Sequence, residues 1–178
     1  MTLTRRRFLA ASLAACAAPL FAQQAPALLP ASKGRRVVIV GGGWGGLSAA
    51  RQLRALAPEL DVVLLERNPA FFSMPLSNKW LAGLVGEKLL AHDYRAAAQA
   101  YGYSFFQAEA TAIDRDRRRV HSARGTLDYD WLVLAVGIRH DYAAWFGDDA
   151  RAIAQTRQNF FCAWTPGGEF HALKAKLD

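Results

Sequence analysis

The chain's 178 residues can bury roughly 70% of their unfolded surface, enough for a packed core. Its net charge of +7 is scattered among acids, with no basic stripe interleaved with aromatics, which argues against a nucleic-acid-binding surface. Two cysteines far apart in sequence and four dispersed histidines exclude a disulfide framework and a sequence-local metal cluster.

The N-terminus reads Thr4-Arg5-Arg6-Arg7-Phe8-Leu9, with an apolar stretch running from Phe8 to Phe21. A basic start before a short apolar run is the layout of a secretory signal. The run is too short to span a bilayer, which takes about 20 residues. Residues 1–22 therefore read as an export signal cleaved after Ala22, although Leu20 meets the small-residue rule only in part. Leu13-Ala14-Ala15-Cys16 offers the alternative of lipoprotein processing. Removing three arginines and no acid takes the charge from +7 to +4 and leaves Cys162 as the one cysteine, with no transmembrane segment expected in the mature chain. Residues 23–34, with Pro26 and Pro30, read as a flexible linker.

Val37-Val38-Ile39-Val40 is a continuous apolar run, expected of a strand buried on both faces of a parallel sheet. Leu47 to Leu56 carries good helix formers. Between them stands G-x-G-x-x-G, at Gly41, Gly43 and Gly46. In a strand–turn–helix unit the first glycine permits the tight turn, the second lets a pyrophosphate approach the backbone, and the third lets helix and strand pack closely. The helix N-terminus adds unpaired N–H groups and a positive dipole end. A second apolar strand, Val62-Val63-Leu64-Leu65, ends in Glu66, 20 residues after Gly46, where an acceptor for a ribose hydroxyl is expected. The context predicts dinucleotide binding. Trp44 fills a variable position of the motif and has two readings: contact with a neighbouring loop or domain, or a place in the wall of the cofactor site.

Downstream, Lys88 to Ala100 reads as a helix and Tyr103 to Gln107 as a strand. Ala108 to Ile113 and Arg118 to Ser122 read as strands around the charged turn Asp114-Arg115-Asp116-Arg117, with Thr126 to Asp128 completing a small antiparallel meander. Trp131 to Val136 reads as another buried parallel strand, ending at Gly137 beside the nucleotide crevice. Cys162, between Phe160, Phe161 and Trp164, reads as a buried, inert thiol. His92, His121, His140 and His171 read as surface or hydrogen-bonded structural residues. Gly167 to Leu177 reads as a helix.

These pieces resemble the flavin-dependent pyridine-nucleotide-disulfide oxidoreductases. Within them, "FFSMPLSNKWLAG", "YDWLVLAVGIRHDY" and "AWTPGGEFHALKAKL" are most similar to the flavoprotein subunit of flavocytochrome c sulfide dehydrogenase. The leader is similar to a twin-arginine export signal, which implies a periplasmic protein folded around its cofactor before export. The resemblance implies an α/β, Rossmann-like FAD-binding domain over residues 35–150, with a parallel sheet and an antiparallel meander. It further implies that Gly41, Gly43 and Gly46 hold the FAD pyrophosphate and Glu66 the adenosine ribose. Trp44 and Arg67 would belong to the same site, Met74, Leu76, Ser77 and Asn78 would lie near the isoalloxazine, and Ala135 and Gly137 would border the cofactor.

The implied reaction is oxidation of sulfide to sulfur, with electrons passing through FAD to a c-type cytochrome subunit. Two departures stand out. A cysteine that can bond to the flavin in that family is Met74 here, so FAD is expected to be non-covalent. The family's chains are also more than twice as long. On that comparison the domain is incomplete at its C-terminus, residues 151–178 begin a connection to a second, absent nucleotide-binding-like domain, and enzymatic activity requires the missing half. The alternatives are another FAD- or NAD(P)-dependent oxidoreductase, such as a sulfide:quinone reductase or an NADH dehydrogenase, or an inactive remnant.

Overall fold

Four parallel strands form the centre of the computed structural model, which describes residues 26–178. The export-signal reading and Cys16 lie outside the described residues. The strands are β1 (Arg36–Val40), β2 (Asp61–Glu66), β5 (Ser104–Gln107) and β9 (Trp131–Leu134), in the order β5-β2-β1-β9. β1 pairs with β2 from Arg36 opposite Asp61 to Val40 opposite Leu65, and with β9 from Val37 opposite Trp131 to Val40 opposite Leu134.

Alternation along β1 and β2 sorts their side chains between two layers. Val37, Ile39, Val62 and Leu64 pack beneath the helices α1 (Trp44–Leu56) and α3 (Tyr94–Tyr101), against Ala50, Tyr94 and Ala98. Val38, Val40, Val63 and Leu65 face the other way, onto Val120 and Leu127. These two belong to an antiparallel sheet of β6 (Ala110–Asp114), β7 (Arg119–Ser122) and β8 (Gly125–Asp128). Because both faces are covered, the apolar runs are continuous, as in other buried parallel strands. The α/β fold, with its parallel sheet and antiparallel meander, is the one the sequence predicts.

The differences have local causes. Lys88 to Ala100 is not one helix. A 3-10 turn at Glu87–Leu89 leads into β4 (Ala91–Asp93), which pairs with β3 (Ala70–Phe72), and only Tyr94 onward is helical. Asp93 sets that boundary, its side chain accepting a hydrogen bond from the Arg95 N–H at 2.8 Å as an N-cap. The described part of the linker is not a loose tether. Leu28 donates its N–H to Thr126 O at 2.7 Å, Thr126 donates to Pro26 O at 2.8 Å, and Leu28 and Leu29 pack on the second core layer. β9 is parallel as expected, but it is an edge strand, as β5 is at the other side, and Leu134 is 59% exposed.

Past β9 come two helices without a sequence-based expectation, α4 (Ala143–Phe146) and α5 (Ala150–Asn159), then α6 (Gly168–Leu177). Phe170 of α6 is fully buried, stacked on Trp80 of α2 (Ser77–Leu81) at 4.9 Å and packed with Leu90. No helix among the described residues is long and apolar enough to cross a membrane.

Candidate cofactor site

The turn from β1 into α1 is shaped by two glycines in different ways. Gly41 has φ of +102°, a conformation side-chain-bearing residues rarely adopt, and a Cβ there would overlap the Ala135 carbonyl at the end of β9. A Cβ at Gly46 would overlap the Gly41 carbonyl oxygen. Gly43 is the contrast: nothing lies within 4 Å of where its Cβ would be. Its missing side chain leaves open space on the side facing the cleft. Gly43 is also the N-cap of α1, with no side-chain cap and no acid in the first turn, so the helix's first N–H groups are left for a ligand.

Glu66, buried at the end of β2, ties this turn to the neighbouring strand. Its Oε2 accepts from the Gly42 N–H at 2.7 Å; its Oε1 accepts from the Asn68 N–H at 2.7 Å and from the Asn68 amide at 2.6 Å. A carboxylate has about four acceptor positions, so one stays free for a hydroxyl donor. Tyr94 fixes the other side of Gly42, donating its hydroxyl to the Gly42 carbonyl at 2.9 Å. Burial, and then the nearby Glu66 carboxylate, push the Tyr94 phenol well above its ordinary range, so it stays a neutral donor.

These groups line a cleft of about 680 Å³ that runs along the C-terminal ends of the parallel strands, where ligands bind in open α/β sheets. Of the residues the sequence singles out, Gly41, Gly43, Trp44, Glu66, Arg67, Met74, Ala135 and Gly137 are in its wall. Gly46 stands behind the turn, buried. Leu76, Ser77 and Asn78 are not brought to the cleft lining: Ser77 is buried in the start of α2, while Leu76 and Asn78 are exposed. Trp44 lines the cleft and meets Phe71 edge-on at 5.3 Å. Arg67 is held at the rim by an exposed pair with Glu109 at 3.2 Å.

Sequence reasoning missed Tyr94, Asn68 and Phe71. Asn68 was within reach, two residues after Glu66; Tyr94 is 52 residues from Gly42, and no local spacing points to it. Cys162 needs correction. It is only half-buried, and its neighbours Phe160 and Trp164 are 75% and 80% exposed rather than folded over it. The loop of residues 160–167 turns these rings outward and sets the sulfur 2.8 Å from His140 Nε2.

The family model described as pyridine nucleotide-disulphide oxidoreductase matches residues 35–161. A type II NADH:quinone oxidoreductase of Staphylococcus haemolyticus is 28% identical over 109 residues, 60% of this chain and 27% of that protein. Among solved structures, the sulfide:quinone oxidoreductase of Aquifex aeolicus matches with a TM-score of 0.68 and 26% identity, over 81% of this chain and 32% of that one. The covalent putidaredoxin reductase–putidaredoxin complex matches with a TM-score of 0.65 and 29% identity, over 80% and 34%. This chain thus spans about a quarter to a third of the length of these relatives. The chain belongs to the pyridine nucleotide-disulphide oxidoreductase family, flavoproteins whose cofactor is FAD.

Proposed function

We propose that this chain is the FAD-binding part of a flavin oxidoreductase that takes electrons from sulfide. The observation that carries the FAD reading is the turn at Gly41–Gly46, with its open side at Gly43 and its uncapped helix end. The residues present fit the cofactor. The N–H groups at the start of α1 bind the pyrophosphate, and the free acceptor position of Glu66 takes a ribose hydroxyl. Tyr94 and Glu66 hold Gly42 from its two polar ends, so the turn is organised before a ligand arrives. Ala135 and Gly137 form one wall of the cleft. Trp44 and Phe71 form an apolar edge-to-face pair in the wall of the same cleft. Bound there, the flavin supplies acceptance of an electron pair and its release one electron at a time.

Met74 lines the cleft and leans on the Trp80–Phe170 cluster. Its thioether cannot form the bond that a cysteine makes to a flavin methyl, so attachment is non-covalent. Acid precipitation is expected to release all flavin into the supernatant. Flavin left in the pellet would contradict this.

Sulfide as donor is supported by the likeness to the Aquifex aeolicus sulfide:quinone oxidoreductase over most of the chain and by the resemblance of "FFSMPLSNKWLAG" to sulfide dehydrogenase flavoproteins. A c-type cytochrome as acceptor and a periplasmic location belong to the same reading. They rest on that resemblance and on the leader pattern from Thr4 to Leu9. The likeness to type II NADH:quinone oxidoreductases favours a second reading, in which NADH is the donor and a quinone the acceptor. Anaerobic mixing of the FAD-loaded protein with sulfide, and separately with NADH, tells them apart. Loss of the oxidised flavin absorbance with sulfide supports the first reading. Loss with NADH alone would replace it with the second.

A further inference from the structure

Gly42 is not one of the three motif glycines, yet a Cβ there would lie 2.7 Å from the Tyr94 hydroxyl oxygen and from the ring edge beside it. Its backbone is outside the left-handed region, so it is the Tyr94 ring, and not the turn's φ, that calls for glycine. Tyr94 opens α3 and is buried, stacked on Phe105 of β5 at 5.0 Å. Packing asks only for that ring, which a phenylalanine supplies. The hydroxyl has a separate task, donating to the Gly42 carbonyl at 2.9 Å. Two successive peptide units of the turn are thus each captured by one side chain. Glu66 accepts from the Gly42 N–H, which belongs to the Gly41–Gly42 peptide, at 2.7 Å. Tyr94 takes the carbonyl of the next peptide, Gly42–Gly43.

A peptide unit is planar and, in this turn, trans, so its N–H lies opposite its carbonyl. The hydroxyl that captures the Gly42 carbonyl therefore also sets the direction of the Gly43 N–H. Left uncaptured, a peptide between two glycines turns over at little steric cost. Gly43 is the N-cap of α1, its N–H is among those unpaired at that helix end, and it stands in the cleft wall. We propose that Tyr94 is a positioning residue for the dinucleotide's pyrophosphate: its hydroxyl holds the Gly42–Gly43 peptide so that the Gly43 N–H is presented to a phosphate oxygen. Gly42 is glycine so that the tyrosine ring can reach that carbonyl. This role rests on the FAD reading and adds to it a residue, 52 positions from the turn, that gives the turn its aim. A backbone N–H donating to a charged oxygen makes one of the stronger hydrogen bonds, and one already aimed loses nothing to ordering when the ligand arrives.

The test titrates FAD into the full chain as wild type, Tyr94→Phe, Gly42→Ala and the double variant, followed by flavin fluorescence. Tyr94→Phe keeps the ring and removes only the hydroxyl, so the ligand-free protein should melt within about 10 °C of the wild type. Its affinity for FAD should fall at least about tenfold, the low side of what a hydrogen bond to a charged group contributes. Gly42→Ala should weaken FAD as well, and should cost much less when added to Tyr94→Phe, because both break the same contact. At saturating FAD, phosphorus NMR should show the pyrophosphate resonances of the bound cofactor moved in Tyr94→Phe, while the flavin absorbance bands stay in place. A merely structural role for Tyr94 would not single out the phosphates. Wild-type affinity in Tyr94→Phe, unmoved phosphorus resonances, fully additive losses or a larger fall in melting temperature would each overturn the proposal and leave the FAD reading standing. A wild type that binds no FAD would instead remove that reading, and this role with it.

Discussion

At the scale of the residue, three glycines of one motif do different jobs, and the difference can be measured. Alanine at Gly46 gains about 1 kcal/mol of helix propensity. That gain is outweighed because its Cβ must displace the Gly41 carbonyl, an overpacking cost of about 1–3 kcal/mol or more. Gly46→Ala should therefore lower the melting temperature and the FAD content together. A Cβ at Gly43 meets nothing within 4 Å, so valine has room there, and the backbone, at φ −70° and ψ −170°, suits any residue. Gly43→Val should keep the stability within about 1 kcal/mol while losing FAD, because only the ligand needs that space. Calorimetry paired with flavin absorbance separates the two; a Gly43→Val protein that keeps its flavin would remove the turn from the site. The motif's residues are legible in the sequence because strand, turn and helix are contiguous. Tyr94 and the Cys162–His140 pair are not, because tertiary folding alone brings them to their partners.

At the scale of the element, the apolar tie between α6 and the body is an aromatic cluster. Phe170 is fully buried against Trp80, Phe72 and Leu90, and Phe170→Ala should cost roughly 3–5 kcal/mol, read by chemical denaturation. A cost under about 1 kcal/mol would mean that α6 does not depend on that contact. Beside Phe170, His171 pairs with Glu87 at 3.0 Å, and its other nitrogen meets the Gly167 carbonyl at 2.9 Å. The Glu87 carboxylate, and then that carbonyl, hold the imidazolium above the ordinary histidine value of about 6.5. A histidine whose pKa is raised on folding contributes stability that is complete below the unfolded value and is lost as pH climbs through the folded one. The protein should thus melt lower as pH rises from about 6 upward through that raised value. Both side chains are about half exposed, so screening limits the effect to no more than about 1 kcal/mol. Glu87→Gln should flatten the profile; an unchanged slope would show that the pair does not stabilise α6. Element boundaries were the least legible feature. Lys88 to Ala100 has helical composition, but pairing of Ala91–Asp93 with Ala70–Phe72 and the Asp93 cap override it.

At the scale of the molecule, the order β5-β2-β1-β9 puts the ends of β1, β2 and β9 side by side, and the cleft follows from that order. The continuous apolar runs, Val37–Val40 and Val62–Leu65, foretold the sheet. They could not foretell that β9 would be an edge strand, since "WLVLAV" reads the same at an edge as at a centre. Nor could composition show that residues 26–28 would pair with Thr126 of β8, because the partner of that segment is about a hundred residues away in the chain.

The central claim is that this cleft recognises a flavin dinucleotide through its pyrophosphate and adenosine ribose. Parallel titrations with FAD, FMN and riboflavin, followed by flavin fluorescence, test it most directly. A hydrogen bond to the Glu66 carboxylate contributes about 1.5–3 kcal/mol, and a factor of ten in affinity is about 1.4 kcal/mol. FAD should therefore bind at least about tenfold more tightly than FMN, with riboflavin weakest of the three. Equal binding of FAD and riboflavin, or no binding of FAD, would contradict it.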